Sequence, residues 1–353
     1  MSDKNWVKRW VILSLSVLLV MGLLVYLWDP YNYYRMKDDR LKYVASAYID
    51  AGIIRNADYD AAMIGSSVSQ NFDVQMFRDK MDINLVKINT GGITLEQRDL
   101  FYQALEDAGK TNTYYVEVAI SAFNAEDDLL EDTPAYLYDH NKWNDYKYLY
   151  GYETWLRGMP ISLAYSGLDL AGVKIKTMHN LENVDYVGDW YYRKPVGKDV
   201  FLKSYLSGSG SISKQEHQGM YERMIANVDK KLTTIIDEDN VYVFYFPPYS
   251  AALWSDAESS GYASIWYQVK KYIMQQLVEY PNVEVYDFQY TEEICNLEHY
   301  RDVTHYGKEL NDWMVGCFAT GEYRVNRSCI DKNVNALEQL IVKFREDNRD
   351  WIK

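Results

Sequence analysis

The residues whose types and spacing could do chemistry are a serine near the start of the chain and an aspartate–histidine pair near its end. The stretch Asp58-Tyr-Asp-Ala-Ala-Met-Ile-Gly-Ser-Ser-Val-Ser-Gln-Asn71 holds a short apolar run, Ala61 to Ile64, that stops at Gly65-Ser66-Ser67-Val68. Glycine followed by small hydroxyl residues suits any tight turn, so the serine gains meaning only from Asp302-Val-Thr-His305 far downstream. A serine hydroxyl barely ionises at neutral pH, and its attack on an acyl carbon needs a base within hydrogen-bond reach. In that chemistry His305 takes the Ser67 proton, while Asp302 orients the ring and stabilises the imidazolium. Aspartate three residues before histidine places both in one turn at the start of a helix. The tetrahedral intermediate also needs donors for its oxyanion. Backbone amides of Ser67 and of Gly91 or Gly92 suit that role, because glycine lets the main chain approach closely. Ser66 is the next candidate nucleophile.

The elements that must position these groups read as an α/β core. The predicted strands are Ala61–Ile64, Ile83–Ile88, Tyr114–Ile120, Val241–Phe246 and Val283–Phe288. Helical patterns separate them, from Thr94 to about Ala108, from about Lys214 to Ile236 and from about Tyr262 to Tyr280, with Gly307–Ala319 as the closing helix. Strands alternating with helices and ending in small or polar residues predict a flavodoxin-like, doubly wound, parallel five-stranded sheet. Catalytic groups of such folds collect outside the carboxyl ends of the strands. Pro247-Pro-Tyr-Ser250 ends the fourth strand, since proline cannot donate to the ladder. Between Ala125 and about Ile212 the alternation breaks into an aromatic, acidic stretch with Tyr136, His140, Trp143, Trp155 and Trp190-Tyr-Tyr192, closing with Ser207-Gly-Ser-Gly-Ser211. It is too long for an ordinary connection and too apolar for a disordered linker, so a mostly helical insertion over 125–212 is predicted.

Ahead of this core, Trp10 to Trp28 carries no charge and approaches the roughly 20 residues that a membrane-spanning helix needs. Trp6, Trp10, Tyr26 and Trp28 mark its ends like an interfacial aromatic belt. Leu-Trp-Asp-Pro follows where a cleaved signal peptide would have small residues. The expected layout is a cytoplasmic tail over 1–9, an anchor over 10–28 and a juxtamembrane helical linker over 29–57. An α/β domain over 58–322 and a C-terminal segment with a helix over 323–353 follow. Lys8 and Arg9 abut the span on one side and Asp29 on the other, which favours a cytoplasmic amino terminus and an extracytoplasmic domain at the cell membrane. From Met36 to about Ile54 a helical pattern with Leu41, Val44, Tyr48 and Gly52 on one side leads away.

A net charge of −14 lacks the positive footprint that a nucleic-acid partner requires. The three cysteines form no C-x-x-C pair, and no phosphate loop, calcium loop or metal motif appears, so neither metal nor cofactor is expected. Cys317 reads as a buried helix residue; Cys295 and Cys329 could pair outside the cytosol, if their Cα atoms approach closely enough. His140, His179 and His217 read as surface or satisfied core residues, and His299 lacks an aspartate three residues earlier. Glu117 stands inside an apolar strand, where a buried carboxylate needs partners.

Gly65-Ser66-Ser67-Val68, Asn89-Thr90-Gly91-Gly92 and Asp302-Val303-Thr304-His305 together resemble the ordered blocks of the SGNH (GDSL-like) hydrolase and acyltransferase superfamily, over about Ala61 to Ala319 without the insertion. The resemblance implies Ser67 as nucleophile, Gly91 or Gly92 as an oxyanion donor, and Asp302 and His305 as acid and base. Two departures stand out. Ser66 occupies the place of the usual aspartate, and the block carrying an oxyanion asparagine is degenerate, with only Ser121 and Asn124 nearby. Both, with the single anchor, are similar to the membrane-anchored branch that includes DltD-type proteins of teichoic-acid D-alanylation and polysaccharide O-acetylation proteins. That branch implies a serine acyltransferase or esterase acting on a cell-envelope glycopolymer beside a multispanning membrane-bound O-acyltransferase. The alternative is a non-catalytic envelope-binding scaffold that keeps the fold.

Overall fold

The five apolar runs form a single sheet in the computed structural model, which describes residues 3–36, 47–125, 128–139, 141–172, 195–208 and 218–352. Strands β1 (Ala61–Gly65), β2 (Leu85–Asn89), β3 (Thr113–Glu117), β4 (Val241–Phe246) and β5 (Val283–Asp287) lie in the order β2-β1-β3-β4-β5. All four pairings are parallel. Parallel strands are covered on both faces, which is why these segments read as continuous apolar runs rather than alternating ones. The expected five-stranded doubly wound sheet is thus the one observed. Its strand order reverses between β1 and β3, and the crevice beyond those two carboxyl ends is where such folds place their sites.

Helix α1 covers Asp3–Trp28, α2 Ala47–Asn56, α3 Val74–Met81 and α4 Leu95–Ala108. The insertion supplies α5 (Tyr146–Tyr150), a π-helical turn at Thr154–Gly158, α6 (Met159–Leu170) and α7 (Lys198–Leu206). Helix α8 (Met220–Lys231) leads to β4; α9 (Ala251–Ser259) and α10 (Ala263–Leu277) lead to β5; α11 (Lys308–Thr320) and α12 (Ile330–Asp347) close the chain. His140, His179, His217 and Trp190–Tyr192 lie outside the described residues, as do Leu41 and Val44 of the expected juxtamembrane helix.

The structure corrects the end of β3. The strand stops at Glu117, and Ile120 begins a 3-10 turn. The Val118 amide still reaches Tyr245 O at 2.9 Å, but Pro247 and Pro248 follow directly after β4 and have no amide to continue the ladder. Helices α3 and α9 were not expected. Asp73 caps α3 by accepting from the Gln75 amide at 3.0 Å, and Asp82 closes it in the left-handed region (φ 57°). Six of the nine residues of α9 are buried, so it shows no amphipathic stripe to read.

Helix α1 is long and apolar enough to cross a membrane, and most of its surface is exposed, but one stripe at its end is not. Gly22 and Val25 are covered, and the Trp28 indole donates to Ser162 Oγ of α6. The next residue, Asp29, takes a left-handed φ of 49° and is 2 % exposed. Its carboxylate accepts from the amides of Tyr33, Tyr34 and Arg35 at 2.9–3.0 Å and from the Tyr148 hydroxyl at 2.9 Å. Arg35 returns to Tyr26 O at 2.7 Å, satisfying a carbonyl in the last turn of α1. Residues 29–36 therefore form a tied turn, not a helix, and bind α1 to the insertion.

Candidate active site

Strand β1 carries the chain to the rim, and Gly65 permits the sharp turn that follows. A Cβ there would fall 2.8 Å from Glu117 Oε2 and closer still to Ser69. Glu117, at the end of the neighbouring β3, is 5 % exposed and supplies the partners its position demands. Its Oε2 accepts from the Ser66 amide at 2.8 Å and from the Ser69 hydroxyl; its Oε1 accepts from Ser66 Oγ at 2.7 Å and from the Tyr249 hydroxyl at 3.1 Å. Burial, then the Glu117 charge, push the Tyr245 and Tyr249 phenols well up, so both remain donors. Below the turn, buried Lys87 of β2 donates to Gln70 O and Phe72 O, each at 2.7 Å. One carboxylate and one ammonium thus hold the residues on both sides of Ser67. Ser67 itself projects, half-buried, from the clamped turn.

The loop before α11 brings the other two groups. Ser67 Oγ lies 2.9 Å from His305 Nε2, and His305 Nδ1 lies 2.9 and 2.8 Å from the two Asp302 oxygens. With Nδ1–H given to the carboxylate, Nε2 is the nitrogen left to accept the serine proton. Asp302 also accepts from the amides of Thr304 (3.0 Å) and His305 (2.9 Å). Burial raises the Asp302 carboxyl, but the hydrogen bond and charge of His305 and these two amides outweigh it and hold it below the usual carboxylate range. The loop is pinned at several points. Tyr300 donates to Pro248 O at 2.6 Å, Ser250 Oγ to Val303 O at 2.9 Å, and the Arg301 amide to His305 O at 2.9 Å. Two further bonds join it to the serine turn: Asn71 Nδ2 to Tyr306 O at 3.4 Å, and Asn311 Nδ2 of α11 to Val68 O at 3.3 Å.

Gly65 pairs with Asn89, so Ser67 and Gly91 each stand two residues beyond a register pair on the same rim. Gly91 and Gly92 are exposed, and Gly92 has φ +68°, where a side chain would be strained. Asn124 closes the 3-10 turn after β3, and its Oδ1 accepts from Arg223 of α8 at 3.3 Å. An oxyanion would need its Nδ2, not that oxygen. Ser66 Oγ donates to the Glu117 carboxylate, whereas Ser67 Oγ meets the histidine, which separates the two. His299 pairs with Glu293 at 3.2 Å and is no part of the triad. Asn89 opens its sequence block but carries no expected role; it is fully buried, and neither carboxamide atom has a hydrogen-bond partner among the described residues. A cavity of about 660 Å³ lies beside the rim rather than over Ser67; it reaches Thr90 and Gly91 and is walled by Tyr31, Tyr48, Tyr136, Tyr152, Glu153 and Arg157. Cys295, Cys317 and Cys329 are free thiols. Among the described residues no cluster of His, Cys, Asp or Glu is placed to hold a metal.

A parallel α/β sheet with a serine, histidine and aspartate in hydrogen-bonded series at its switch point is the class that fold and site define. The sequence matches no protein-family model and no curated protein. Among solved structures, the crystal structure of the lipase Lip_vut3 from a goat rumen metagenome is similar over 75 % of this chain and 98 % of its own, at 11 % identity and a TM-score of 0.35.

Proposed function

We propose that this protein is a membrane-anchored serine acyltransferase or esterase of SGNH type. The observation that carries the reading is the unbroken series Ser67 Oγ–His305–Asp302, every link at 2.8–2.9 Å. Ser67 Oγ attacks the acyl carbon as Nε2 of His305 takes its proton; His305 returns that proton to the departing alkoxide, leaving an acyl-serine. Asp302 stays ionised and holds the ring. The amides of Ser67 and Gly91 or Gly92, with Nδ2 of Asn124, are the donors assigned to the oxyanion. Water or a second hydroxyl then takes the acyl group, giving hydrolysis or transfer.

In this reading residues 10–28 span the cell membrane with residues 1–9 in the cytoplasm, and the domain over 58–322 works outside. The acyl acceptor is a cell-envelope polysaccharide or teichoic-acid-like polymer, and a multispanning O-acyltransferase is the proposed partner. The resemblance of the three sequence blocks supports these assignments. A fluorophosphonate probe on the full-length protein in detergent tests the chemistry. Labelling is expected in the parent and absent in Ser67→Ala. Labelling that persists in Ser67→Ala would discard the nucleophile. Full complementation in cells by a Ser67→Ala, His305→Ala variant would instead favour a non-catalytic scaffold.

A further inference from the structure

Helix α6 presents an outward face made of Pro160, Leu163, Ala164, Gly167 and Leu170, all exposed, with no polar side chain among them. Leu170 is 91 % exposed, and Leu156 and Tyr152 just before the helix are 61 % and 73 % exposed. Between Arg157 and Asp169 the sequence contains no charge. A contiguous apolar face of this kind is unfavourable in water and marks a surface that something covers.

The position of α1 says what covers it. The opposite side of α6 receives the Trp28 indole through Ser162, so α6 lies level with the end of the apolar helix. The Tyr150 hydroxyl of α5 packs against Gly22, within 2.5 Å of where a Cβ would stand. Gly22 precedes Trp28 by six residues, or about 9 Å along a helix rising 1.5 Å per residue. Part of the insertion therefore sits alongside the apolar segment, below its aromatic end. If α1 spans a bilayer, lipid surrounds its exposed Leu19 and Leu23 and continues sideways onto α6.

We propose that the outer face of α6, together with Leu156 and Tyr152, is immersed in the same bilayer that α1 spans, as an interfacial helix lying beside a transmembrane one. The apolar face then loses its exposure to water, as in other interfacial helices, whose buried face lies about 5–10 Å into the headgroup and acyl boundary. The same segment contributes Tyr152, Glu153, Arg157 and Ile161 to the 660 Å³ cavity, which places that cavity at headgroup level. This inference rests on α1 being a membrane span and is independent of the serine chemistry.

The test uses the full-length protein in phosphatidylcholine vesicles, in a Cys295→Ser, Cys329→Ser background that retains buried Cys317. Single cysteines are introduced by Leu156→Cys, Leu163→Cys, Leu19→Cys and Val342→Cys, all at exposed positions, and labelled with bimane. Quenching is read with lipids spin-labelled near the headgroup, with lipids spin-labelled deep in the acyl chain for position 19, and with aqueous iodide. Labels at 156 and 163 are expected to lose about half of their emission to the spin-labelled lipid, as suits that shallow depth, and little to iodide. Val342→Cys on α12 serves as the aqueous reference. Lipid quenching at position 19 with iodide quenching at 156 and 163 would overturn the immersion while leaving the anchor standing. Iodide quenching at position 19 as well would remove the span, and the inference with it.

Discussion

Replacing Glu117 by glutamine tests whether the carboxylate behind the serine turn sets the geometry of Ser67, the proposed nucleophile. Four donors converge on Glu117: the Ser66 amide, the hydroxyls of Ser66 and Ser69, and the Tyr249 phenol. Glutamine keeps one acceptor oxygen, which can serve the Ser66 amide, a donor that cannot turn. Its NH2 then faces Ser66 Oγ and Tyr249, whose hydroxyls can rotate to accept. What disappears is the charge on bonds made in a buried site, where a hydrogen bond to a charged group contributes about 1.5–3 kcal/mol. If that loss is expressed as misplacement of Ser67, the acylation rate falls by about 10- to 100-fold, since each 1.36 kcal/mol is tenfold. Fluorophosphonate labelling measures the rate loss and thermal unfolding the loss of stability, both on the full-length protein in detergent. Ser66→Ala, which deletes only one of the four bonds, should fall between parent and Glu117→Gln in both. A Glu117→Gln protein that melts early yet labels at the parental rate would refute positioning and leave Glu117 a purely structural residue.

Three further perturbations follow from the structure. Lys270 and Asp287 form a fully buried pair at 2.6 Å, with Gln289 Oε1 2.8 Å from the ammonium. Lys270→Met should destabilise by about 3–5 kcal/mol in urea unfolding, and adding Asp287→Leu should recover much of that loss. Asp50 of α2 is fully buried with neither oxygen bonded among the described residues, and burial pushes its carboxyl well up. A raised folded value means that its penalty is absent below the ordinary value of about 3.9 and grows as pH rises. Melting curves of Asp50→Asn and parent should therefore separate in the variant's favour between pH 4 and 7. Asp302 has the opposite sign: its folded value is lowered, so its contribution is present above about 3.9 and fades as pH falls through the lower value. Parent and Asp302→Asn should converge in thermal stability under acid conditions and diverge above pH 4; parallel curves would contradict the assignment.

The sheet was legible because a strand covered on both faces is an apolar run in sequence, and five such runs separated by helical spacing leave few arrangements. Asp302 and His305 were legible because they lie in one turn, and Ser67 because Gly65 ends a strand. Where the decisive partner is distant, local reading failed. Glu117 stood out as a carboxylate without a partner, yet its partners lie 48 to 132 residues away. Lys87 gave no signal at all, because a lysine in an apolar strand reads as an edge residue until two carbonyls are seen to meet it. The apolar residues Val118 to Ile120 extend the expected β3 too far, since what stops the strand is the pair of prolines that follows β4. The turn at Asp29 reads in sequence as part of a helical linker, because four donors converging on one aspartate leave no periodic trace.

The clamp at Glu117 also bears on what position 66 can hold. An aspartate at position 66 would set a second carboxylate against Glu117, two like charges sharing one buried site. The acid is present, but on the adjacent strand, reaching the same turn from the other side. Residues 66 and 117 are therefore expected to change together, since altering one alone leaves the turn with two acids or with none. A lineage exchanging one arrangement for the other meets an intermediate with both acids or with none. With none, the Ser66 amide loses its acceptor; with both, one carboxylate must take up a proton. Descendants of either arrangement should keep one acid between the two positions, and ancestral chains reconstructed with two should be the least stable of the set.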